Sequence, residues 1–139
     1  MKIHLYFIGK VRDRHAHAIA EEYVKRTGRF TSCEMREIDP RRMDLPTKHA
    51  SAMKVLLDPA GRALDSKQFA EMARKAEDEA RDLVFVIGGA EGLPAQWRDQ
   101  ADVLLSMSSM TWPHELARAM LAEQIYRAFT TLRGHPYPR

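Results

Sequence analysis

Two stretches of this chain carry residue types and spacings that could do chemistry. An unbroken apolar run, Leu83 to Ile87, empties into Gly88-Gly89-Ala90-Glu91-Gly92-Leu93. A second run, Val103 to Met107, empties into Ser108-Ser109-Met110-Thr111-Trp112-Pro113-His114. Glycines let a main chain approach a ligand closely and adopt positive φ. Ser and Thr hydroxyls and free backbone groups can bond the edge of a base, and Met110 and Trp112 supply apolar walls. Two strand ends that each open a small-residue loop mark the place where open α/β sheets seat a nucleotide-like ligand. The glycines do not form G-x-G-x-x-G, and no Lys-Ser/Thr pair follows them, so a Rossmann dehydrogenase and a phosphate-loop NTPase are both disfavoured. A lone Gly-Gly pair most often only turns the chain. The second loop tips the reading toward an adenosine lying against main chain.

The remaining chemically suggestive residues weigh less. His15 and His17 are two apart on an expected helix, where side chains do not face the same way. No other His, Cys, Asp or Glu cluster has ligand spacing, so no metal is expected. Cys33 sits inside a strand pattern and reads as a small core residue. No nucleophile elbow is present, so direct displacement is favoured over covalent catalysis. Lys10, Arg12 and Arg14, then Lys25, Arg26 and Arg29, then Arg41 and Arg42 form three basic clusters. Each is ordinarily a solvated face; with an RNA partner, each becomes a candidate for phosphate contacts, which position rather than select.

These residues need a scaffold, and the pattern supplies one. Residues 2–8 read as a strand. Asp13 can cap a helix whose apolar positions Ala16, Ile19, Ala20, Tyr23 and Val24 fall at three-to-four spacing. Cys33 to Ile38 is a second strand, followed by a loop marked by Pro40, Arg41, Arg42 and Pro46. Thr47 is expected to cap a short helix from Lys48 to about Lys54. Val55 to Asp58 is a third strand, closed by a Pro59-Ala60-Gly61-Arg62 turn. Asp65 or Ser66 caps a helix carrying Phe69, Met72, Ala73 and Ala76 on one face. Leu83 to Ile87 is the fourth strand, Pro94 opens the first turn of a helix with Ala95, Trp97 and Ala101, and Val103 to Met107 is the fifth strand. His114 to about Thr130 is the last helix, and residues 134–139 form a tail. This alternation predicts an α/β fold with a mostly parallel sheet of five to six strands, helices on both faces, and residues 1–139 as a single domain. The last helix is apolar on more than one side, at Leu116, Ala117, Met120, Leu121, Ile125, Ala128 and Phe129, which points to a homodimer interface.

Composition sets outer bounds. The chain has 139 residues, a formal net charge of +3 and one cysteine. That charge permits an RNA partner without requiring one, and a lone cysteine rules out an intrachain disulfide and suits a reducing, cytoplasmic setting. No stretch approaches the ~20 apolar residues of a membrane span, and the apolar start at residues 3–8 is too brief for a signal segment.

Read in order, IGGAEGL at 87–93, SMSSMTWPHELARAMLAEQIYRAF at 106–129 and the PY-x-R ending resemble the SPOUT RNA methyltransferases, specifically the RlmH type. The resemblance is strong over 84–139 and looser over 1–38. It implies a C-terminal trefoil knot, an exception to the rule against threaded chains, S-adenosylmethionine as methyl donor, and a homodimer that completes each active site. The implied substrate is N3 of a pseudouridine in 23S rRNA of the large subunit, on assembled ribosomes. Carried over by position, the donor site would use Leu57, Gly89, Ser108, Ser109, Met110, Thr111, Trp112 and Pro113. Tyr137 and Arg139 would approach the substrate base, with Arg118 and Arg127 as phosphate or cofactor-carboxylate contacts.

Two departures stand out. The family tail carries His where this chain has Pro138; a near-neutral imidazole suits removal of the N3 proton, and His135 is the nearest substitute. The connection between the second and third strands, Asp39 to Lys54, is shorter than the family's. Two further readings share the fold: a ribosome- or RNA-binding protein with impaired catalysis, and a methyltransferase acting on a different RNA.

Overall fold

A computed structural model describes residues 1–137. Five strands, β1 (Lys2–Ile8), β2 (Ser32–Ile38), β3 (Met53–Ala63), β4 (Leu83–Ile87) and β5 (Val103–Ser106), alternate with five helices. The helices are α1 (Arg14–Thr27), α2 (Leu45–Lys48), α3 (Ser66–Asp78), α4 (Ala95–Asp99) and α5 (His114–Leu132). All strand pairs are parallel, in the order β2-β1-β4-β3-β5. The sheet therefore has five strands, the lower of the two expected numbers.

Side-chain alternation sorts the core into two layers. Ile3, Leu5 and Phe7 of β1, with Leu83, Phe85 and Ile87 of β4, pack under α1, α3 and α5. Tyr6, Leu56, Val84 and Val86 point the other way, toward Leu45 and Trp97. β4 is buried at every position, as a strand covered on both faces must be. The Asp13 carboxylate caps α1 by accepting from His15 and Ala16, and Asp65 with Gln68 forms a reciprocal capping box on α3. α5 leaves β5 at one edge of the sheet and returns to pack on α1 and α3. That path is consistent with the threading implied by the resemblance.

Several boundaries differ from expectation. The helix expected from Lys48 is instead Leu45–Lys48, with Thr47 inside it donating to the Asp44 carboxylate at 2.8 Å. Pro46 in the first turn presets the helical φ there, while Met53 and Lys54 are drawn into pairing with β4. The expected turn at residues 59–62 is a bulge inside a longer β3, and Leu57 and Arg62 both pair with Leu105. Asp58 accepts from the Ala60 amide at 2.9 Å to shape it. Gly61 lies so close to β5 that a Cβ would stand 2.6 Å from the Leu104 carbonyl oxygen. Pro94 is the cap residue before α4, Ala101 lies beyond that helix, and Met107 lies beyond β5.

Candidate functional site

The ends of β4, β3 and β5 lie side by side at one edge of the sheet. Leu56 pairs with Val86 and Leu57 with Leu105, so Leu57, Ile87 and Leu105 stand at one level. The loops after β4 and β5 leave from that level about 10 Å apart, two strand spacings. In the first loop, the Gly92 amide donates to Gly89 O at 3.0 Å, and Gly92 takes φ of 75°. A Cβ on Gly88 would stand 2.7 Å from the Gly92 carbonyl carbon. This side of the edge is therefore bare main chain, and only glycine fits there. In the second loop, Ser106 Oγ donates to Ser108 O at 3.0 Å and the Met110 amide donates to Ser108 Oγ at 2.9 Å. The hydroxyls of Ser106 and Ser108 thus shape the loop first. Ser109, Met110, Thr111 and Pro113 are exposed, Met110 at 74%, and Trp112 is half-buried. Pro113 caps α5 without a side-chain bond, which leaves the first amides of that helix open at the same edge. Leu57, Gly89 and residues 108–113 are thus brought to one edge.

A third segment at this edge was not anticipated. A Cβ on Gly89 would stand 3.1 Å from Ile8 O, so the loop after β1 rests directly on the glycine turn. That loop starts at Gly9, with φ of 101°. Glu115, in the first turn of α5, accepts from the Arg12 amide at 2.6 Å and the Asp13 amide at 2.7 Å. Those two amides hold its carboxyl below the ordinary range against the opposing effect of burial, with help from Arg118 and His114. Arg118 is only 2% exposed. Its guanidinium carbon sits 3.7 Å from the centre of the Phe7 ring, and Nη2 lies 3.8 Å from Glu115 and 3.4 Å from His17. Burial lowers its pKa, opposed by Glu115 and Glu37, and its Nε has no hydrogen-bond partner among the described residues. Arg118, expected as a phosphate or cofactor-carboxylate contact, is thus buried against Phe7 and Glu115 on this chain. The only local signal for this arrangement was an acid and an arginine three apart at a helix start.

The tail lies elsewhere on this chain. The Tyr137 hydroxyl donates to Glu123 at 2.6 Å, and its ring meets Tyr126 edge-on at 4.7 Å under the Arg127 guanidinium. Burial, then bonds with Glu123 and Tyr23, raises the phenol pKa, so it stays protonated at neutral pH. His135 accepts from the Tyr137 amide at 3.2 Å through Nδ1 and packs against Phe30. Glu123 is nine residues past His114, about 14 Å along the helix at ~1.5 Å per residue. Tyr137 and His135 are thus not gathered with the two small-residue loops of the same chain. Arg139 and Pro138 lie outside the described residues. Arg127 is held by Glu123 at 2.8 Å.

The other singled-out residues are placed as follows. Arg41 and Arg42 both face Asp39, at 3.0 and 3.9 Å, which offsets part of their charge. Cys33 is half-buried, and burial pushes its thiol up to about 12, so it is an inert packing residue. His15 is exposed while His17 turns inward to Arg118. Among the described residues, no group of three or more His, Cys, Asp or Glu is arranged to hold a metal ion. No helix among them is long and apolar enough to cross a membrane. Two open depressions, of about 440 and 840 Å³, are lined by other residues, one beside Arg42 and Asp44 and one along α3 and β5.

This arrangement of parallel strand ends and small-residue loops has counterparts among known proteins. The family model described as "Predicted SPOUT methyltransferase" matches residues 1–138, and the chain belongs to that family. It is 65% identical over 139 residues to the ribosomal RNA large subunit methyltransferase H of Solibacter usitatus, covering all of both chains. The protein of the same name from Cereibacter sphaeroides strain ATCC 17025 is 39% identical, with 100% of this chain and 99% of that one covered. That second alignment runs to 154 positions against 139 in the first. The compact form of the chain is thus shared with the Solibacter protein, while the Cereibacter protein carries extra residues. The fold is also that of the methyltransferase AviRb from Streptomyces viridochromogenes in complex with AdoMet, at a TM-score of 0.53 and 15% identity over 91% of this chain and 57% of that one.

Proposed function

We propose that this protein transfers the methyl group of S-adenosylmethionine to N3 of a pseudouridine in 23S rRNA of the large ribosomal subunit, acting on assembled ribosomes in the cytoplasm as a homodimer. The observation that carries this reading is the full-length 65% identity to a large-subunit rRNA methyltransferase, joined to the strand-end geometry. A donor with an adenosine and a methionine arm fits an edge where Gly88 leaves no room for a side chain and Met110 and Trp112 offer apolar surface. Leu57, Gly89 and residues 108–113 would hold it. When bound there, it supplies an electrophilic methyl on a sulfonium.

The chain's own residues then bind, orient and exclude water. The main chain of 88–92 and 108–113 fixes the donor, and positioning by such walls accounts for much of the rate in a direct displacement. The substrate nitrogen must lose its proton. The tail of one protomer reaches the donor edge of the other in this reading, bringing Tyr137 and Arg139 to the base. Glu123 holds the Tyr137 hydroxyl in place, and His135, whose Nδ1 accepts from the Tyr137 amide, has its Nε2–H available to donate to and orient the substrate. Two patterns support the dimer. The tail sits far from its own donor loops, and Ile19, Leu116 and Met120 are 49%, 46% and 47% exposed on α1 and α5.

The test is methyl transfer from labelled S-adenosylmethionine to ribosomes lacking the modification, with the labelled nucleotide mapped. Label on a pseudouridine of large-subunit rRNA is the expected result. Label on tRNA alone, or none from a protein that still binds the donor, would overturn the assignment.

A further inference from the structure

The segment after β1 is unusual in its charge. Lys10, Arg12 and Arg14 are exposed, and their side chains make no ion pair or hydrogen bond among the described residues. Most arginines in this chain are paired: Arg26 with Glu22, Arg74 with Glu71, Arg98 with Asp58, Arg127 with Glu123 and Arg133 with Glu77. The two carboxylates nearest the segment are both occupied with main chain. Asp13 is turned to the first amides of α1, and Glu115 is turned to the amides of Arg12 and Asp13. Neither forms an ion pair with any of the three cations among the described residues. The positive end of the α1 dipole adds to the same field.

The segment also has a defined place. It rests on the glycine turn through the Ile8–Gly89 contact, and the Glu115 carboxylate ties it to the start of α5, the helix that follows the second donor loop. Glu115 grips the backbone of Arg12 itself. A cation rooted on a fixed backbone loses less freedom on binding than one on a loose loop. Arg118 stands behind Glu115, buried against Phe7, and favours its charged form.

Resting on the proposed rRNA reading, we infer that Glu115 is a positioning residue: it locks the Lys10–Arg14 segment at the rim of the donor edge, where its unpaired cations take backbone phosphates of the rRNA flanking the target nucleotide. Glu115 itself touches neither donor nor RNA. It acts through Arg12 and Asp13.

The experiment measures binding of the intact protein to purified large ribosomal subunits over a range of salt, with donor affinity measured separately by calorimetry. Each phosphate contact contributes roughly 0.7 to 0.9 to the slope of log affinity against log salt. Replacing Lys10 and Arg12 together by Ala is expected to lower that slope by about 1.4 to 1.8. Glu115→Gln keeps one acceptor oxygen and loses the two-oxygen grip. It is expected to lower the slope in the same direction, with donor affinity within twofold of wild type and little further loss when combined with the double substitution. Glu115→Asp, too short to span both amides, should behave alike and serves if the Gln variant does not fold. An unchanged slope in the double variant would overturn the phosphate surface. An unchanged slope in the Glu115 variants, or a loss of donor affinity there, would overturn the positioning role. Because binding is read without turnover, a wild type that binds subunits but methylates nothing refutes the proposed activity and leaves this test standing.

Discussion

Gly88→Ala offers a direct measure of the glycine turn. Its Cβ would lie 2.7, 2.9 and 3.0 Å from the carbonyl carbon, oxygen and Cα of Gly92, where ordinary contact starts at 3.4 Å. Gly92 must therefore retreat by about 0.7 Å, and being backbone it cannot rotate away. The turn is closed by one hydrogen bond, Gly92 to Gly89, while Gly88 continues from a strand buried at every position. The turn should yield rather than the sheet. Overpacking of this kind costs about 1–3 kcal/mol, so donor affinity should fall by roughly 5- to 150-fold. Isothermal titration with S-adenosylmethionine reads this directly. Gly28→Ala, at the far end of α1 with φ of −57°, should leave donor affinity unchanged and serves as the control. A folded Gly88→Ala protein that binds the donor within twofold of wild type would refute the reasoning, because the turn would then not be a wall of the donor site.

Three further outcomes are expected. Burial holds His49 below its ordinary value of 6.5, reinforced by the charges of His4, Lys48 and Lys54 and opposed by Asp82, and its Nε2 meets the Tyr6 hydroxyl at 2.9 Å. The unfolded chain then takes up the proton first as pH falls, so stability should drop below pH 6.5, by at most about 1.4 kcal/mol per pH unit. Urea unfolding at a series of pH values should show this contribution to the slope, and His49→Gln should remove it. Glu123→Gln weakens the hold on the Tyr137 hydroxyl and should lower kcat by about 10- to 100-fold with the donor Kd unchanged; equal loss of both would refute a tail-specific role. For the proposed homodimer, Leu116→Lys with Met120→Lys should shift sedimentation from dimer to monomer; a wild-type monomer would refute the dimer, and a dimer unchanged by the pair would place its interface elsewhere.

How much of this was legible in the chain depends on the range of each interaction. β4 announced itself because five consecutive apolar residues allow few other readings, and Asp13 and Asp65 were visible as caps because their partners lie two or three residues away. The stretch 44–54 was misread because its fate is decided by β4, some 30 residues on: strand pairing captured Met53 and Lys54, which local spacing had assigned to a helix. The bulge in β3 has the same origin, since Gly61 is required by the backbone of β5 and not by its own neighbours. At the candidate site, the two small-residue loops could be picked out because their composition is local, and the structure brings them to one edge. Glu115 was invisible, its partners being 102 and 103 residues distant. The burial of Arg118 was equally invisible, because exposure is set by the fold and not by residue type.

The Glu115 tie has a consequence for timing. Arg12 leaves the ribosome early in synthesis, and Glu115 is made 103 residues later, which at ~5–20 residues per second is a wait of roughly 5–20 s. Until then the segment after β1 has no anchor, and its cations have no fixed place beside the glycine turn. A nascent or truncated chain can hold most of the sheet and still lack an assembled site. The fold thus withholds competence until its C-terminal helix has been made, so an unfinished copy cannot act early on the machine that is making it.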